Sequence, residues 1–560
     1  MTSTARVPLT DALPPEQRAL MFPKLTEAQI ARILPHGEKI SVSAGQVVVE
    51  QGEYNLPFVV VLSGALEVLG GPSKDNLIVV DEAGHFFGDT NMLSNRRSLV
   101  QARMRDAGEI LKVDRRELQN IVQSDAELGD ILMRAFILRR VEMISAGAGD
   151  AILLGSNNCA STLRIKEFLS RNGHPYTFVD LDHDPGTQEL LDRFHIQYKD
   201  VPVLICRGTL VLRNPSNLEV ADCLGFNEGI SAADVRDVIV VGAGPAGLAS
   251  AVYAASEGLR CLMVETIAPG GQAGSSSKIE NYLGFPMGIS GLELASRAYV
   301  QAQKFGAEMM VSRRVTKLKC DRRPYGIELE GGGWFHTRTV VIATGATYRK
   351  MPCKNLQAFE GSGVYYAATP IEAQLCTKEE VIVVGGGNSA GQAAVFLSSC
   401  ASHVHILVRG DGLADTMSRY LIRRIEDNPN ITLHRNTEVS AIQGNGWLGQ
   451  VTWRNNKTGA TEQHGIRHIF LMTGATPNVE WLESCVTEDE RGFIKTGTDL
   501  TADDLTAAKW PLARRPFLYE TSLPGVFAVG DIRAGNTKRV ASAVGEGSAA
   551  ISMVHQTLHE

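Results

Sequence analysis

The sequence predicts an α/β multidomain chain: two doubly wound nucleotide-binding domains, one inserted in the other, preceded by a small β-roll and a small α/β unit. Three observations predict it. Strand–glycine loop–helix units open at Gly242 and Gly385, and successive βαβ units of this kind build parallel sheets covered by helices. The C-terminal stretch carries one more strand, "GVFAVGD", and a helix, "ASAVGEGSAAISMVHQTL". These must finish a domain begun before the second loop. The first 230 or so residues instead show short strands punctuated by glycine, then a brief strand–helix alternation.

The 560 residues suit three or four domains at roughly 150 residues each. A net charge of -7 supplies no basic field for nucleic acid or an anionic membrane. No apolar run approaches the roughly 18 residues of a membrane span, and the N-terminus lacks the apolar core of a signal peptide. The expected location is therefore cytoplasmic. Nine cysteines are present and no two stand three apart. That excludes a C-x-x-C pair and a paired-knuckle zinc site. Reduced, mostly buried thiols and no metal are expected.

Each element follows in order. Residues 24–115 hold short strands such as "FVVVLSGALEVLG", and residues 115–144 are helical by period. Together they make a first domain, 1–145. "SAGAGD" is a small-residue linker. "AILLGS", "STLRIKEFLSRNG", "YTFVDLD", "TQELLDRFHI" and "VPVLICRG" then alternate strand and helix, making a domain at 150–226. "NEGISAAD" (227–234) is a second linker. A nucleotide domain spans 235–350 and 480–560, and the inserted one spans 351–479.

"DVIVVGAGPAGLASAVYAASEGLRCLMVE" is a full dinucleotide fingerprint. An apolar strand enters Gly242-x-Gly244-x-x-Gly247, with Pro245 and Ala246 between the glycines. A helix follows, then a strand ending at Glu265. Glycines let the backbone approach a pyrophosphate, the helix N-terminus offers N–H groups to its charge, and Glu265 stands where a carboxylate takes the ribose 2′-hydroxyl. "PGGQAGSSSKIENYLGFP", "VVIATGAT", "LMTGATPN" and "TSLPGVFAVGDIR...KRVASAVGEG" extend the pattern. With them the chain from about 235 to 560 resembles the low-molecular-weight thioredoxin reductases. The resemblance implies Rossmann-like FAD and NAD(P) domains. It places Gly271, Gln272, Asn281, Thr344 and Gly345 around the flavin, Gly530 and Asp531 on the ribityl chain, and Arg539, Val540 and Ala541 over the ring. It also implies a homodimer.

"VIVVGGGNSAGQAAVFLSSC" is the second fingerprint: Gly385, Gly387, Asn388, Ser389 and Ala390 form the nicotinamide nucleotide loop. The next strand ends in "HILVRG", with no acid for an NAD ribose. The similar reductases read His-Arg-Arg there, with another Arg four residues on. Here the positions hold Val408, Arg409, Gly410 and Ala414. A guanidinium fork suits a 2′-phosphate, so Arg409 favours NADPH, with NADH left open. Arg419, Arg423 and Arg424 read as a charged helix face.

In the similar reductases a C-x-x-C precedes the second glycine loop. Aligning on Gly363-Val364 puts Ala367 and Pro370 in those places. Neither can attack or resolve a disulfide. Cys353 and Cys376 read as small buried hydrophobes. "LLGSNNCASTLRIKEFLSRNG" resembles a thioredoxin/glutaredoxin fold, with Cys159 at the first active position and Thr162 at the second. A helix beginning just after Cys159 favours the thiolate. Val201-Pro202 stands where that fold uses a cis proline. Two readings of Cys159 stay open: a monothiol redox centre, or a degenerate fold kept for docking or dimer contact.

The roll, with glycine turns at Gly45, Gly52 and Gly64, resembles a cyclic-nucleotide-binding domain. Its cassette is "FFGDTNMLSNRRSLV". Gly88 fits, Asp89 replaces a ribose-binding Glu, Arg97-Ser98 fits the phosphate position, and Leu99 replaces Ala. The effector would be cAMP or cGMP; a degenerate roll serving dimerisation or docking is the other reading. The whole implies an FAD-dependent NAD(P)H oxidoreductase with a thioredoxin-like or other redox protein as partner. A ferredoxin/flavodoxin reductase-like enzyme and a non-enzymatic redox and nucleotide sensor remain as alternatives.

Overall fold

The computed structural model describes residues 13–560 apart from 72–75, 95, 146–148, 158, 183–199, 208–209, 277–278, 280–281, 349–350, 361, 367, 369, 415 and 474. The chain forms two compact units. The first comprises Met1–Val240, Ala251–Pro269 and Ala298–Arg338, and the second Val241–Ser250, Gly270–Arg297 and Thr339–Glu560.

In the first unit, eight strands make the roll: β1 (Gly37–Val42), β2 (Val47–Val49), β3 (Phe58–Val61), β4 (Ala65–Gly70), β5 (Asn76–Glu82), β6 (Phe86–Phe87), β7 (Gln101–Asp106) and β8 (Gly108–Val113). They form two antiparallel sheets ordered β1-β8-β3-β6 and β2-β7-β4-β5. Gly64 turns β3 into β4 at φ 78°, where a Cβ would lie 2.7 Å from the carbonyl oxygens of Asp106 and Ala107; only glycine fits. The helical stretch is two helices, Arg115–Ser124 and Ala126–Ser145, broken at Asp125. Phe136 of the second meets Phe58 and Phe86 edge-on, each 6.2 Å between ring centroids. These rings centre the roll's core.

The next sheet is ordered β10-β9-β11-β12, from β9 (Ala151–Gly155), β10 (Tyr176–Asp180), β11 (Val203–Cys206) and β12 (Leu210–Arg213). β10 runs parallel to β9, β11 antiparallel to β9, and β12 antiparallel to β11. Helix Ala160–Arg171 follows β9. The expected helix "TQELLDRFHI" lies outside the described residues. The Val201–Pro202 peptide is cis.

One expectation is corrected here. Cys206 and Cys223 form a disulfide rather than two reduced thiols. Spacing could not show it, because β11 and helix Asn217–Cys223 bring together residues 17 apart. The stretch 227–234 carries no helix or strand. Asn227 accepts from the Val311 N–H at 2.8 Å and donates to the Val311 carbonyl at 3.0 Å, which fixes its start.

A seven-stranded sheet is ordered β15-β14-β13-β18-β17-β16, with β29 beside β18. Its strands are β13 (Val235–Val241), β14 (Cys261–Val264), β15 (Glu308–Met310), β16 (Val315–Lys319), β17 (Tyr325–Leu329), β18 (Trp334–Ile342) and β29 (Val526–Ala528). β29 joins in parallel through Val340↔Val526 to Ile342↔Ala528, so the C-terminal stretch completes this sheet.

The second unit holds a parallel five-stranded sheet ordered β20-β27-β21-β22-β23. Its strands are β20 (Val364–Tyr365), β21 (Glu380–Val384), β22 (His403–Leu407), β23 (Ile431–His434) and β27 (His468–Leu471). The strands Thr437–Asn445, Trp447–Asn455 and Thr461–His464 (β24 to β26) form an antiparallel meander. Two short strands, β19 (Ala346–Tyr348) and β28 (Ala475–Pro477), pair antiparallel. They carry the chain into and out of the inserted sheet.

Candidate functional site

Four loops of the second unit converge. Gly242 has φ 102°, and a Cβ on it would lie 2.4 Å from the Ala343 carbonyl oxygen. A Cβ on Gly247 would stand 1.9 Å from the Gly242 carbonyl oxygen. A Cβ on Gly271 would lie 3.0 Å from Gly244 Cα, and one on Gly530 3.0 Å from Ala246 Cβ. The Gly270 N–H donates to the Ala243 carbonyl at 2.7 Å. Backbone thus approaches backbone where side chains would obstruct. Helix Pro245–Ser256 opens here, and the N–H groups of a helix's first turn have no partner within the helix. This cradle fits a dinucleotide pyrophosphate.

The other residues expected at the flavin take the following positions. Gln272 donates through Nε2 to the Ala346 carbonyl. Thr344 donates through Oγ1 to the Asn478 carbonyl at 3.0 Å, and Asn478 Nδ2 returns a bond to the Thr344 carbonyl at 2.8 Å. The Asn478 N–H donates to the Gly345 carbonyl at 3.2 Å. Asn478 therefore ties the incoming and outgoing crossings together. Asp531 sits in the turn Gly530–Ile532, where burial pushes its carboxyl above the usual range against the pull of Lys538. Arg539 N-caps helix Val540–Leu558 and is exposed, as is Ala541, while Val540 is half-buried. Asn281 lies outside the described residues. In the first unit, Glu265 follows β14; its N–H donates to the Met310 carbonyl at 2.8 Å and its Oε1 accepts from the Ile267 N–H at 2.9 Å.

Sequence reasoning missed Glu546, whose carboxylate is buried in helix Val540–Leu558. It accepts from the Gly530 N–H at 2.7 Å, from Arg533 at 2.7 Å and from Asn536 at 2.8 Å. The signal was available: an acid between two glycines in "GEG", on an otherwise apolar helix face, is a buried charge needing partners.

The second glycine loop opens after β21. Gly385 has φ 142°, and a Cβ there would lie 2.2 Å from the Met472 carbonyl oxygen. Gly387 caps helix Asn388–Leu397, and Ala390 is fully buried. Asn388 Oδ1 accepts from the Ser418 N–H at 2.7 Å, so its side chain shapes the loop. Ser389 is exposed on the first turn, and Arg409 is exposed just past β22. Arg419, Arg423 and Arg424 lie on the exposed face of helix Arg419–Glu426.

Residues 236–547 match the pyridine nucleotide-disulphide oxidoreductase family. The chain belongs to that family. Thioredoxin reductase of Bacillus subtilis (strain 168) is 33% identical over 327 residues, 58% of this chain and 96% of that protein. NADPH-dependent thioredoxin reductase 3 of Arabidopsis thaliana is 30% identical over 359 residues, 61% of this chain and 63% of that protein. The crystal structure of thioredoxin reductase from T. acidophilum superposes with a TM-score of 0.51 at 30% identity, covering 58% of this chain and 99% of that one. As a pyridine nucleotide-disulphide oxidoreductase, the protein is an FAD-dependent enzyme. Residues 39–125 match a cyclic nucleotide-binding domain, so the roll is one.

This pyridine nucleotide-disulphide oxidoreductase places no described thiol usefully in the stretch where the similar reductases carry their dithiol. Ala367 lies outside the described residues, and Pro370 opens helix Pro370–Leu375. Cys376 is fully buried, donates to the Ala373 carbonyl at 3.5 Å, and has its thiol pushed up to about 12 by burial. Burial also raises the Cys353 thiol. Both are inert.

In the first unit, Cys159 is half-buried at the N-cap of helix Ala160–Arg171, and its side chain makes no capping bond. Thr162 is fully buried, with its Oγ1 unpartnered. In the cassette, a Cβ on Gly88 would lie 2.8 Å from the Phe136 ring. Burial raises the Asp89 carboxyl, with Arg140 4.0 Å away opposing. Asn91 Nδ2 donates to the Arg97 carbonyl at 2.7 Å, and Ser98 Oγ to the Val100 carbonyl at 2.7 Å. Arg97 itself grips Glu228, its Nε donating at 2.5 Å. Arg139 was also missed: it is buried and donates to the Met21, Phe86 and Gly88 carbonyls at 2.9, 3.1 and 2.8 Å.

Among the described residues, no helix is long and apolar enough to cross a membrane and no group of His, Cys, Asp or Glu is arranged to hold a metal ion.

Proposed function

We propose that the enzyme takes hydride from NADPH and delivers the electrons through an exit other than the dithiol of the similar reductases. The observation that carries this is the converged backbone cradle at Gly242, Gly247, Gly271 and Gly530, joined to the Gly385 loop by strands β19 and β28. Bound FAD supplies two-electron chemistry that no side chain offers. The chain's own residues do the rest. The loop before helix Pro245–Ser256 holds the pyrophosphate through its N–H groups. Glu546 keeps the Gly530 N–H in place beside Asp531, which takes the ribityl hydroxyls. By the resemblance, Gln272, Arg539, Val540 and Ala541 would face the flavin ring. Gly385, Gly387, Ser389 and Ala390 seat the nicotinamide nucleotide. Arg409, exposed past β22, grips the 2′-phosphate and selects NADPH; the Arabidopsis relative carries that cofactor in its name.

For the exit we propose Cys159. The order β10-β9-β11-β12, with β11 and β12 antiparallel, supports a thioredoxin-like sheet, and Cys159 opens the helix after β9. As a thiolate it attacks a partner's disulfide, forming a mixed disulfide and releasing the partner's other sulfur as thiolate. With Thr162 in the second place, an external thiol must resolve that bond, releasing the partner's second thiolate and leaving Cys159 in a mixed disulfide with that thiol. This disulfide would be cleaved by two electrons and a proton from the NADPH-reduced flavin, returning the Cys159 thiolate and the free thiol. The roll takes cAMP or cGMP, with the phosphate at Arg97 and Ser98, the ribose at Asp89, and Gly88 shaping the approach.

Anaerobic titration with NADPH and with NADH, following flavin bleaching, tests the reading. Bleaching by NADPH at lower concentration supports it; a preparation without flavin absorbance sinks it. Reoxidation by a disulfide protein, ferredoxin, a quinone and oxygen then identifies the acceptor. Full disulfide reduction by Cys159→Ser removes Cys159 from the path.

A further inference from the structure

Two consecutive cassette arginines hold the segment that leaves helix Asn217–Cys223. Arg96 lies 4.3 Å over the Phe226 ring and donates to the Asn172 carbonyl at 3.0 Å. Arg97 meets the Glu228 carboxylate with two nitrogens: Nε donates to Oε2 at 2.5 Å and Nη2 to Oε1. This fork-to-fork geometry is the one a guanidinium offers a phosphate. The segment is shaped to reach it. Gly225 turns at φ 69°, where a Cβ would lie 2.7 Å from Arg97 Nε and 2.8 Å from Glu228 Oε2. Phe226 is buried and packs on Phe168 and His174, 6.1 and 5.4 Å between centroids. Cys223, just before the turn, is tied to Cys206. The Arg97 side chain is left 16% exposed, so a second anion cannot take the fork while Glu228 holds it.

We infer that Glu228 is an internal occupant of the cyclic-phosphate position, and that a cyclic nucleotide binds only by displacing it. The inference rests on the nucleotide-binding reading of the roll. Displacement frees Glu228 and loosens the Gly225 turn, in the stretch that runs on to β13. The roll then reports the nucleotide by releasing this segment. A ligand can shift an equilibrium only by its unequal affinity for two states. Here the unequal term is explicit, because phosphate and carboxylate compete for one guanidinium.

Calorimetric titration of the full-length protein with cAMP and cGMP tests this. With Glu228 seated about nine-tenths of the time, apparent affinity is reduced about tenfold. Glu228→Gln and Glu228→Ala should therefore each bind about tenfold more tightly than the wild type, and Arg97→Ala should not bind. Limited proteolysis between 225 and 234 should accelerate when nucleotide is added to the wild type, and be fast without nucleotide in Glu228→Gln. Equal affinity in wild type and Glu228→Gln, with Arg97→Ala silent, overturns the internal-occupant inference and leaves the pocket standing. No binding by any of these proteins overturns both. Proteolysis unchanged by a nucleotide that does bind also overturns the inference.

Discussion

Glu546 and Gly530 are joined by a 2.7 Å hydrogen bond, from the glycine N–H to a buried carboxylate that also holds Arg533 and Asn536. This bond ties the last helix to the turn that carries Asp531.

Glu546→Ala leaves the Arg533 guanidinium and the Gly530 N–H without their acceptor. Breaking a buried, hydrogen-bonded charge pair costs about 3 kcal/mol or more. The purified variant should carry less flavin per chain and melt lower, read by absorbance and thermal unfolding. Glu546→Gln should recover part of both. Wild-type flavin content in the alanine variant would count against the role given to this carboxylate.

Gly385→Ala separates the two nucleotide loops. The added Cβ would meet the Met472 carbonyl oxygen at 2.2 Å, at a φ of 142°. Backbone strain of this kind costs about 1–3 kcal/mol. Flavin content should stay near wild type, while the NADPH concentration for half-bleaching rises about tenfold or more. Unchanged bleaching would show that the loop does not seat the nicotinamide nucleotide.

Asp81 is buried in β5 with Oδ1 unpartnered, and burial raises its carboxyl to about 7, with Arg139 opposing. Unfolded, it ionises near pH 3.9. Between those values the folded state binds more protons, so the roll's stability falls as pH rises from about 4 to about 7. Asp81→Asn should raise the melting temperature at pH 8 and change it little at pH 4. Parallel melting curves for the two proteins across that range would contradict this.

His405 pulls the other way. Burial, then His434 and His403, lowers its imidazole to about 4. His405 Nδ1 lies 3.0 Å from His434 Nε2. Between pH 6.5 and 4 the unfolded chain binds more protons, so stability falls as pH drops through that window. His405→Val should flatten the acid side of the melting profile; an unchanged acid slope would assign the loss to other groups.

Local patterns carried much of this. The strand–glycine–helix units at Gly242 and Gly385 were legible because a pyrophosphate loop demands residues at fixed short spacing. The cassette around Arg97 was legible for the same reason. Asn478 and Arg139 were not, because each bonds backbone 51 to 134 residues away in sequence, while Glu546 left only the buried-acid signal in "GEG". The Cys206–Cys223 bond was hidden likewise: a loop of 17 residues has no spacing signature. The 227–234 stretch is irregular chain, as its polarity and glycine suggest, but pattern could not show what Glu228 touches.

The sequence by itself determined the family fold, the two nucleotide loops and the roll, since backbone geometry at a phosphate leaves few residue choices. Only the tertiary structure decided what Arg97 touches. A guanidinium takes whichever anion the fold brings within 3 Å or so, and here the fold brings Glu228, from 131 residues away.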